Sequence, residues 1–371
     1  MPKELYLPIA LLIPAGFQVL YYLFIFSRFA FARAKKSHAE NYPPVSVIVC
    51  GRNEEENFKK NLPQILDQDY PEFEVVAVND QSIDNTKDVL EGLQRYHEHL
   101  RLVEVEENER FWNGKKYGLT LGIKAATFEH MIFTDADCVP ASREWLREMA
   151  SGFSKNKKEI VLGFGAYEKQ KGLLNKLIRF ETLQAAIQYF SWALWGMPYM
   201  GVGRNLAYTK TLFFANKGFV PHMHIPMGDD DLFINAAGNR KNSTAVFTPE
   251  SFTVSIPETH YADWFKQKRR HIAVSKHYKS GHKVALGFFG FTQIFFILSL
   301  TALFFWQDLP IWVFYGLGVR YVLQYLIFIF SAKKTKDWDV LLFLPFLEIF
   351  LAVSQVFILM ANTFSKSYKW K

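Results

Sequence analysis

The stretch His130-Met-Ile-Phe-Thr-Asp-Ala-Asp-Cys-Val-Pro140 decides how this chain of 371 residues is organised. Its apolar residues 131–133 predict the end of a buried strand, and Asp135 and Asp137 follow one residue apart. Carboxylates are almost never fully buried unless they are paired or bind a metal. Mg²⁺ takes one or two carboxylates together with substrate phosphate oxygens. The pair therefore predicts a site for Mg²⁺ or Mn²⁺, or else an Asp-rich turn that caps the next helix.

Strand and helix patterns alternate around this stretch, from residue 42 to about residue 283. Strands are predicted at Val45–Cys50, Glu74–Val78, Arg101–Val105 and Met131–Thr134, and helices at Glu55–Asp67, Asp84–Tyr96 and Lys115–Ala126. This alternation is typical of an α/β fold with a parallel sheet, in which ligands bind beyond the carboxyl ends of the strands. Asn53, Glu54, Asp80, Asp135 and Asp137 all follow predicted strands. A binding site is therefore expected at that edge of the sheet.

Both ends of the chain are apolar. Leu5–Phe31 exceeds the roughly 20 residues that a membrane helix needs, and it is too long and lacks the small-residue cleavage site of a signal peptide. Three further runs of spanning length are Val284–Trp306, Ile311–Ala332 and Val340–Ala361. The expected parts are an N-terminal transmembrane helix with its basic flank (1–36), an α/β domain with interface helices (37–283) and a membrane region of three helices (284–371). The domain boundaries follow these shifts in composition.

Basic residues lie beside the apolar runs, as at 28–36, 266–283 and 333–336, and account for much of the net charge of +7. This placement fits anionic lipid headgroups and a cytoplasmic α/β domain rather than a nucleic-acid partner. The sequence therefore predicts a multi-pass plasma-membrane protein with four spans. That count places the basic tail, which contains Lys366, Lys369 and Lys371, on the outer side. The two cysteines form no disulfide framework or zinc spacing, which suits a reducing compartment.

Two features of the helical regions leave alternatives open. Leu173–Met197 is a long aromatic helical stretch that fits the membrane interface, or else a core helix or an acceptor-side helix. Arg320 and Glu348 interrupt two of the apolar runs. Intramembrane charges usually face the interior of a helix bundle, where these two side chains can pair with each other.

Seven segments occur in an order that is informative as a set. They are Val45–Glu55, Val78–Thr86, Asn113–Lys115, Asp135–Asp137, Gly203–Ala207, Gly228–Leu232 and Gln267–His271. Together they resemble the motifs of the family 2 inverting glycosyltransferases, which have a Rossmann-like GT-A fold. The chain departs from the family pattern at Asn79, which replaces an Asp, at Gly228, which replaces a Glu, and at His271, which replaces the Trp of Q-x-x-R-W.

The resemblance implies a role for each matching residue. Donor binding falls to Asn53, Glu54, Asp80, Lys115, Asp135, Gln267 and Arg270. The acceptor side falls to Gly203, Asn205 and His271, with Trp264 as a substitute aromatic platform. Asp137, with Asp135, is the expected ligand of Mg²⁺ or Mn²⁺. Inversion needs one base to take the proton of the acceptor hydroxyl, and the match assigns it to Asp229, with Asp230 as the alternative in this run of three aspartates.

Simpler interpretations of these residues remain open. Glu54 can be a helix N-terminal acid that the helix dipole favours. One of the three aspartates can be an ordinary N-cap. Arg270 offers a planar fork for a diphosphate, but its basic surroundings can equally form a lipid-facing helix surface. His222 and His224 lack further metal ligands and are better explained as loop residues.

The resemblance implies a membrane-bound inverting glycosyltransferase. Its expected donor is a nucleotide diphosphate sugar, UDP-linked in the first instance, and its expected acceptor is a lipid-linked or cell-envelope glycan. The alternatives are a processive polysaccharide synthase and a catalytically silent scaffold that binds nucleotide sugar. His271 offers a smaller, polar ring that titrates near neutrality, and such a ring is a weaker stacking platform than Trp. Addition of one or very few sugars is therefore expected.

Overall fold

The structure is a computed structural model that describes residues 6–34, 36, 41–106, 114–154, 158–305 and 309–364. Asn113 of the predicted Asn113–Lys115 segment lies outside these residues, and so does the basic tail with Lys366, Lys369 and Lys371.

Two sheets organise the middle of the chain. The strands are β1 Val45–Gly51, β2 Phe73–Asn79, β3 Leu100–Glu104, β4 His130–Asp135, β5 Cys138–Pro140, β6 Ile160–Leu162, β7 Gly165–Tyr167, β8 Leu206–Thr209, β9 Ser243–Ala245 and β10 Thr253–Ser255. The larger sheet has the order β3-β2-β1-β4-β8-β6-β9, and the smaller has the order β5-β10-β7. Strands β1 to β4 pair in parallel, whereas β8 is antiparallel to both β4 and β6. The predicted α/β class with a mostly parallel sheet is confirmed.

The helices follow the predicted alternation and then become longer. They are α1 Tyr6–Leu20, α2 Ser27–Ala30, α3 Glu55–Leu66, α4 Thr86–Gln94, α5 Lys115–Ala125, α6 Trp145–Ala150, α7 Leu173–Trp195, α8 Lys210–Ala215, α9 Asp231–Ala237, α10 Tyr261–Val274, α11 Ser280–Phe304, α12 Ile311–Thr335 and α13 Leu344–Phe364. A π-helix, Tyr21–Phe26, joins α1 to α2, and a 3-10 helix, Trp338–Phe343, precedes α13. The strands and helices predicted from residue 45 to residue 135 are confirmed to within one or two residues.

Alternation along β1 explains why both faces of the larger sheet are covered. Val47 and Val49 belong to one hydrophobic cluster, which packs under α3 and α6, while Ile48 and Cys50 belong to the other, which includes α5 and α7. All seven residues of β1 are buried. A strand with period 2 that is apolar on both faces needs helices on both sides of the sheet, as in doubly covered α/β folds.

Strand register brings the predicted polar motifs to one edge. Gly51 pairs with Asn79 across β1 and β2, and Cys50 pairs with Asp135 across β1 and β4. The carboxyl ends of the three parallel strands are therefore level with one another. Asp80, the residue after β2, donates its backbone N–H to the carbonyl of Gly51 at 2.9 Å and so continues this alignment.

Four helical stretches are long and apolar enough to cross a membrane, namely Pro8–Ala30, Ser280–Leu303, Ile311–Thr335 and Trp338–Phe364. They are not separate from the α/β domain, because one hydrophobic cluster contains residues of both. Phe29 of α2 stacks on Phe190 of α7 with 4.9 Å between ring centroids and meets Phe247 edge-on at 5.2 Å. The predicted boundaries at residues 36 and 283 remain predictions, and this cluster extends across both of them.

The structure bears on the two open questions about the helical regions. Helix α7 buries fourteen of its side chains and contacts α2, α12 and α13, so it is a packed helix, and its position at the membrane interface stays a prediction. The pairing of Arg320 with Glu348 is confirmed: both side chains are buried, and the guanidinium donates to both carboxylate oxygens. Gln18 of α1 and Gln324 of α12 also accept hydrogen bonds from Arg320.

Candidate active site

A shallow recess lies at the carboxyl end of β4. It is lined by Lys115, Leu119, Phe133, Thr134, Asp135, Gly203, Leu206, Tyr208, Asp229 and Asp230. These residues come from the start of α5, the end of β4, the start of β8 and the turn before α9. Five residues that the sequence predicted for donor binding, catalysis or the acceptor side therefore meet at one place.

Lys115 holds the centre of the recess. Its Nζ lies 2.7 Å from Asp135 Oδ1 and 3.3 Å from Asp229 Oδ2, and only 14% of its side chain is exposed. Desolvation works against the ammonium charge, but Asp135 and Asp229 outweigh it and raise the pKa of Lys115 well above its ordinary value. One fixed cation thus joins the predicted donor carboxylate to the predicted base.

The three consecutive aspartates have different partners. Asp230 is the N-cap of α9, with Oδ1 accepting from the N–H of Asp231 and Oδ2 accepting from the N–H of Gly203, both at 2.7 Å. Asp231 accepts a hydrogen bond from the hydroxyl of Tyr278 at 2.8 Å. Burial, followed by the charge of Asp229, raises the pKa of Asp230 to about 6. The expectation that one of the three is an N-cap is confirmed, and Asp229 is the one that faces Lys115.

Two glycines make this arrangement possible. Gly228 has φ +84°, a conformation that L side chains rarely adopt, and it turns the chain immediately before Asp229. A Cβ at Gly203 would lie 3.1 Å from Asp230 Oδ2, so glycine allows the close approach of this backbone to the carboxylate. Gly203 therefore positions Asp230 through its backbone.

Asp135, Asp137 and Cys138 place one ligand atom each within 4.8 Å of one another. The Cys138 thiol donates to Asp137 Oδ1 at 3.2 Å and lies 3.1 Å from Ser255 Oγ. Burial, then the charge of Asp137, raises the pKa of Cys138 well above its ordinary value. Two carboxylates with an exposed Asp137 fit a hard cation such as Mg²⁺ or Mn²⁺, which prefers oxygen ligands.

The loops after β1 and β2 hold the other predicted donor residues. Asn53 has φ +56° and accepts a hydrogen bond from the N–H of Ile83 at 2.8 Å, so it braces one loop against the other. Glu54 is the N-cap residue before α3 but makes no side-chain cap hydrogen bond, and it accepts one from Asn57 Nδ2 at 2.5 Å. Asp80 is 1% exposed, and its Oδ2 has no hydrogen-bond partner among the described residues. A buried carboxylate oxygen without a partner can accept a hydrogen bond from a bound ligand.

Helix α10 carries the remaining predicted residues. Gln267 and Arg270 are half-buried, and Arg270 Nε has no hydrogen-bond partner among the described residues. His271 is exposed, but desolvation by surrounding protein atoms and the charge of Lys268 lower its pKa well below the ordinary value. The ring is therefore neutral near pH 7, in contrast to the expectation of titration near neutrality.

Two acceptor-side predictions do not agree with the structure. Trp264 is 3% exposed and donates its Nε1–H to Glu181 at 3.1 Å, so its face is not open to a sugar. Asn205 is fully buried and donates to the carbonyls of Phe164 and Ser251 at 2.9 and 2.7 Å. Both were predicted from position in a motif, and their packing instead holds neighbouring segments together.

Sequence reasoning missed two cations near the recess, one buried and one half-buried. Lys116 is 4% exposed and donates to the carbonyls of His222 and Ile225 at 2.8 and 2.9 Å, which fixes the segment that leads to Asp229. Arg204 lies 4.1 Å over the ring of Tyr167 and donates to Ser255 Oγ at 2.8 Å. The sequence did contain a hint of the role of Lys116, because two lysines stand at the start of a helix, where positive charge is unfavourable.

Comparison with known proteins gives these groups a family context. Residues 46–220 match the sequence model of glycosyl transferase family 2. The chain carries a family 2 glycosyltransferase domain. This domain contains β1 to β4, Lys115, Asp135 and Asp137, while Asp229 and α10 follow it.

Curated relatives of the family 2 domain act on different glycans. The chain is similar to a poly-beta-1,6-N-acetyl-D-glucosamine synthase of Staphylococcus epidermidis, with 30% identity over 44% of this chain and 38% of the relative. It is also similar to a dolichyl N-acetyl-alpha-D-glucosaminyl phosphate 3-beta-D-2,3-diacetamido-2,3-dideoxy-beta-D-glucuronosyltransferase of Methanococcus voltae, with 28% identity over 46% of this chain and 50% of the relative. The chain thus spans half or less of the length of these two relatives.

One solved structure shares the fold over most of the chain. The mannosyltransferase PcManGT from Pyrobaculum calidifontis, in complex with GDP-Man and Mn²⁺, superposes with a TM-score of 0.57 and 21% identity. The match covers 90% of this chain and 98% of the mannosyltransferase. At this identity the likeness shows the fold alone. The predicted GT-A fold is thereby confirmed.

Proposed function

We propose that the protein is a membrane-bound inverting glycosyltransferase that moves a sugar from a nucleotide diphosphate sugar to a lipid-linked or cell-envelope glycan. The observation that carries the proposal is the ion-paired set Asp135–Lys115–Asp229 in a recess at the carboxyl end of β4. A donor carboxylate, a phosphate-seeking cation and a base within contact of one another match the needs of a displacement at a sugar carbon.

In this proposal Asp229 takes the proton of the acceptor hydroxyl as that oxygen attacks the donor sugar. Asp229 is free of the capping role of Asp230, so its carboxylate can turn to the acceptor. Lys115 and the fork of Arg270 meet the charge of the diphosphate, because charge-assisted hydrogen bonds to phosphate are the stronger class. Asp80 accepts from the base or ribose of the nucleotide, with Asn53 and Glu54 shaping the loop beside it.

Asp135 and Asp137 are the residues that would hold Mg²⁺ or Mn²⁺, while Asp135 also faces the donor. Such a cation, when bound, acts as a Lewis acid toward the leaving diphosphate. Gln267 and His271 of α10 remain proposed donor and acceptor contacts, since both are accessible on the helix. Gly203 acts through Asp230.

The donor base, the acceptor and the location are proposals that the relatives support. The names of the two relatives involve amino sugars and a dolichyl-linked acceptor, and the solved mannosyltransferase holds GDP-Man. A UDP-linked donor remains our first expectation. We further propose a plasma-membrane protein with its catalytic domain in the cytoplasm and parts at 1–36, 37–283 and 284–371, from the apolar helices and their basic flanks.

A donor panel tests the proposal. Purified protein in detergent with Mn²⁺ and a lipid-extract acceptor is assayed for release of UDP, GDP and dTDP from the corresponding sugars, with Asp229→Asn as matched control. One donor should release its nucleotide and label the lipid fraction, and the variant should do so far more slowly. Donor binding without release by the unaltered protein would instead favour the silent scaffold.

A processive polysaccharide synthase is the second candidate, favoured by the similarity to a poly-beta-1,6-N-acetyl-D-glucosamine synthase. The small ring of His271 and the burial of Trp264 count against it, because neither position offers an open, large aromatic face to a growing chain. Product length separates the two candidates.

A further inference from the structure

The last apolar segment, Trp338–Phe364, contacts the catalytic part of the molecule where it begins. Arg179 of α7 donates to Asp337 and to Asp339, each at 2.8 Å, in the turn that leads into the segment. Lys176 of α7 lies 4.0 Å over the ring of Phe343. Helix α7 packs on strands β7 and β9 of the α/β domain, so the start of the segment lies on the catalytic side.

The far end of the same segment also contacts the catalytic part. Arg269 of α10 donates through Nε to Asn362 Oδ1 at 3.0 Å and through Nη2 to the carbonyl of Ala361 at 3.1 Å. Asn362 Nδ2 donates in return to the carbonyl of Arg269 at 3.1 Å. The two helices lie side by side, since the rings of Tyr261 and Phe350 are 6.4 Å apart nearer the start of α13.

Helix α10 stays outside the hydrocarbon region and is attached to the catalytic part of the molecule. It carries Lys266, Lys268 and Arg270 within five residues, and such a run is costly in the hydrocarbon region. Trp264 and Lys268 both bond Glu181 of α7, at 3.1 and 2.9 Å. Helix α11 then starts on the same side, where His282 lies 2.9 Å from Asn235 of α9.

The length of α13 makes the contacts at its two ends incompatible with a membrane crossing. Helix α13 has 21 residues, or about 31 Å at 1.5 Å per residue, against a hydrocarbon core of about 30 Å. A helix that crossed from the turn at Asp337 would carry Asn362 to the far surface, away from Arg269. The middle of the segment nevertheless reaches into the bundle, because Glu348 is buried against Arg320 of α12. The exposed face of α13 is apolar and includes Phe346, Val353, Phe357 and Met360.

We propose that Trp338–Phe364 is a re-entrant segment, meaning that it lies within the catalytic-side half of the membrane and has both of its ends on the catalytic side. The chain then crosses the membrane three times, through Pro8–Ala30, α11 and α12, and Phe364 lies with the catalytic domain. This departs from the expected four spans. It also removes an oddity of the sequence, since residues 366–371 carry three lysines and the positive-inside rule places such a tail with the other basic flanks. The proposal rests on contacts of α13 and is independent of the proposed function.

The arrangement gives α13 a mechanical role. Arg269 is the neighbour of Arg270 on α10, so the bonds to Ala361 and Asn362 hold the helix that carries the proposed diphosphate contact. A re-entrant α13 therefore ties the position of α10 to the membrane-embedded bundle.

Cross-linking tests the juxtaposition. The variant Arg269→Cys/Asn362→Cys, in native membranes, is treated with a short bis-maleimide and the linked peptides are measured by mass spectrometry. The native Cys50 and Cys138 are both buried and stay in place. The control pair is Arg269→Cys/Phe305→Cys, because Phe305 ends the span α11 and is 78% exposed. The cross-linking yield of Arg269→Cys/Asn362→Cys should be well above that of the control pair. A yield no higher than that of the control pair would contradict the proposal.

Sided labelling tests the topology without assuming the distance. Thr363→Cys is compared with Lys87→Cys on the catalytic domain and Phe305→Cys at the opposite surface, each exposed. An impermeant maleimide is applied to intact cells and to inside-out vesicles, and the remaining thiols are counted after denaturation. If the segment is re-entrant, Thr363→Cys and Lys87→Cys should be labelled in the same preparation. If Thr363→Cys is instead labelled in the same preparation as Phe305→Cys, the proposal is overturned and the segment is a fourth crossing.

Discussion

Replacing Asp229 by Asn removes the proposed base while changing little of its shape. Loss of a general base typically lowers the rate by about 10²–10⁴-fold, which is about 3–5 kcal/mol of barrier. The contact of Asp229 with Lys115 is 3.3 Å long, and Lys115 keeps its shorter bond of 2.7 Å to Asp135. We therefore expect Asp229→Asn to fold, to bind donor nearly normally and to transfer sugar slowly.

Asp230→Asn is the matched control, and the structure predicts a different defect. Both oxygens of Asp230 accept from backbone N–H groups, of Asp231 and Gly203. The amide of Asn can present only one oxygen, so its NH₂ must face one of these donors. A buried donor left without an acceptor costs about 1–3 kcal/mol. The expected result is a lower thermal midpoint and a smaller effect on the rate of the folded fraction.

The assay is the initial rate of nucleoside diphosphate release at saturating donor, divided by the folded fraction from a melting curve in the same detergent. Donor affinity is measured separately by equilibrium binding. The reasoning fails if Asp229→Asn keeps the unaltered rate while Asp230→Asn melts normally and is inactive, because Asp230 would then be the base.

Four further outcomes are expected. Excess chelator should stop turnover and added Mn²⁺ or Mg²⁺ should restore it, except in Asp137→Ala; full activity in chelator would exclude a metal role. Arg320→Met should lower the free energy of unfolding by about 3–5 kcal/mol, because it leaves the carboxylate of Glu348 buried and unpaired. The double variant Arg320→Met/Glu348→Met should lose far less stability, and an equal drop in melting temperature for the two variants would contradict this. Burial, then the charge of a neighbouring lysine, lowers the pKa of His222 to about 4. The unfolded chain therefore protonates this side chain at a higher pH than the folded protein does, as pH falls below about 6.5. Between about pH 7 and pH 5 the unaltered protein should lose about 2 kcal/mol more than His222→Gln loses in pH-dependent melting. With purified protein and excess donor, products should carry one or very few added sugars; a ladder that extends to long polymer would promote the synthase.

The sheet and its edge could be predicted from the sequence because they depend on local patterns. β-branched runs, helical spacing and the position of Asp135 after an apolar strand are all readable within a short window. The recess could be predicted only in part. Asp229 was chosen from a run of three aspartates by resemblance, and its separation from Asp230 depends on the N–H of Gly203, 27 residues away in sequence.

The errors have a common physical origin. Asn205 and Trp264 were predicted from their place in a motif, but burial decides whether a side chain can meet a ligand, and burial depends on distant partners such as Ser251 and Glu181. Lys116 was missed for the same reason, since its acceptors lie more than 100 residues further along the chain. Resemblance identifies which residue types are present, whereas long-range packing determines which of them face the recess.

The contact of Phe29 with Phe190 and Phe247 limits how the protein can be shortened. A fragment that starts at Tyr42 would leave these two rings without their partner and expose apolar area that the intact chain buries. Each large apolar side chain that is uncovered costs about 1.5–3 kcal/mol. Lys334 of α12, which donates to the carbonyls of Phe29 and Ala30, adds a second attachment at the same place. A soluble version for crystallisation would thus need redesigned surface residues on α7, because the membrane anchor is also part of the fold.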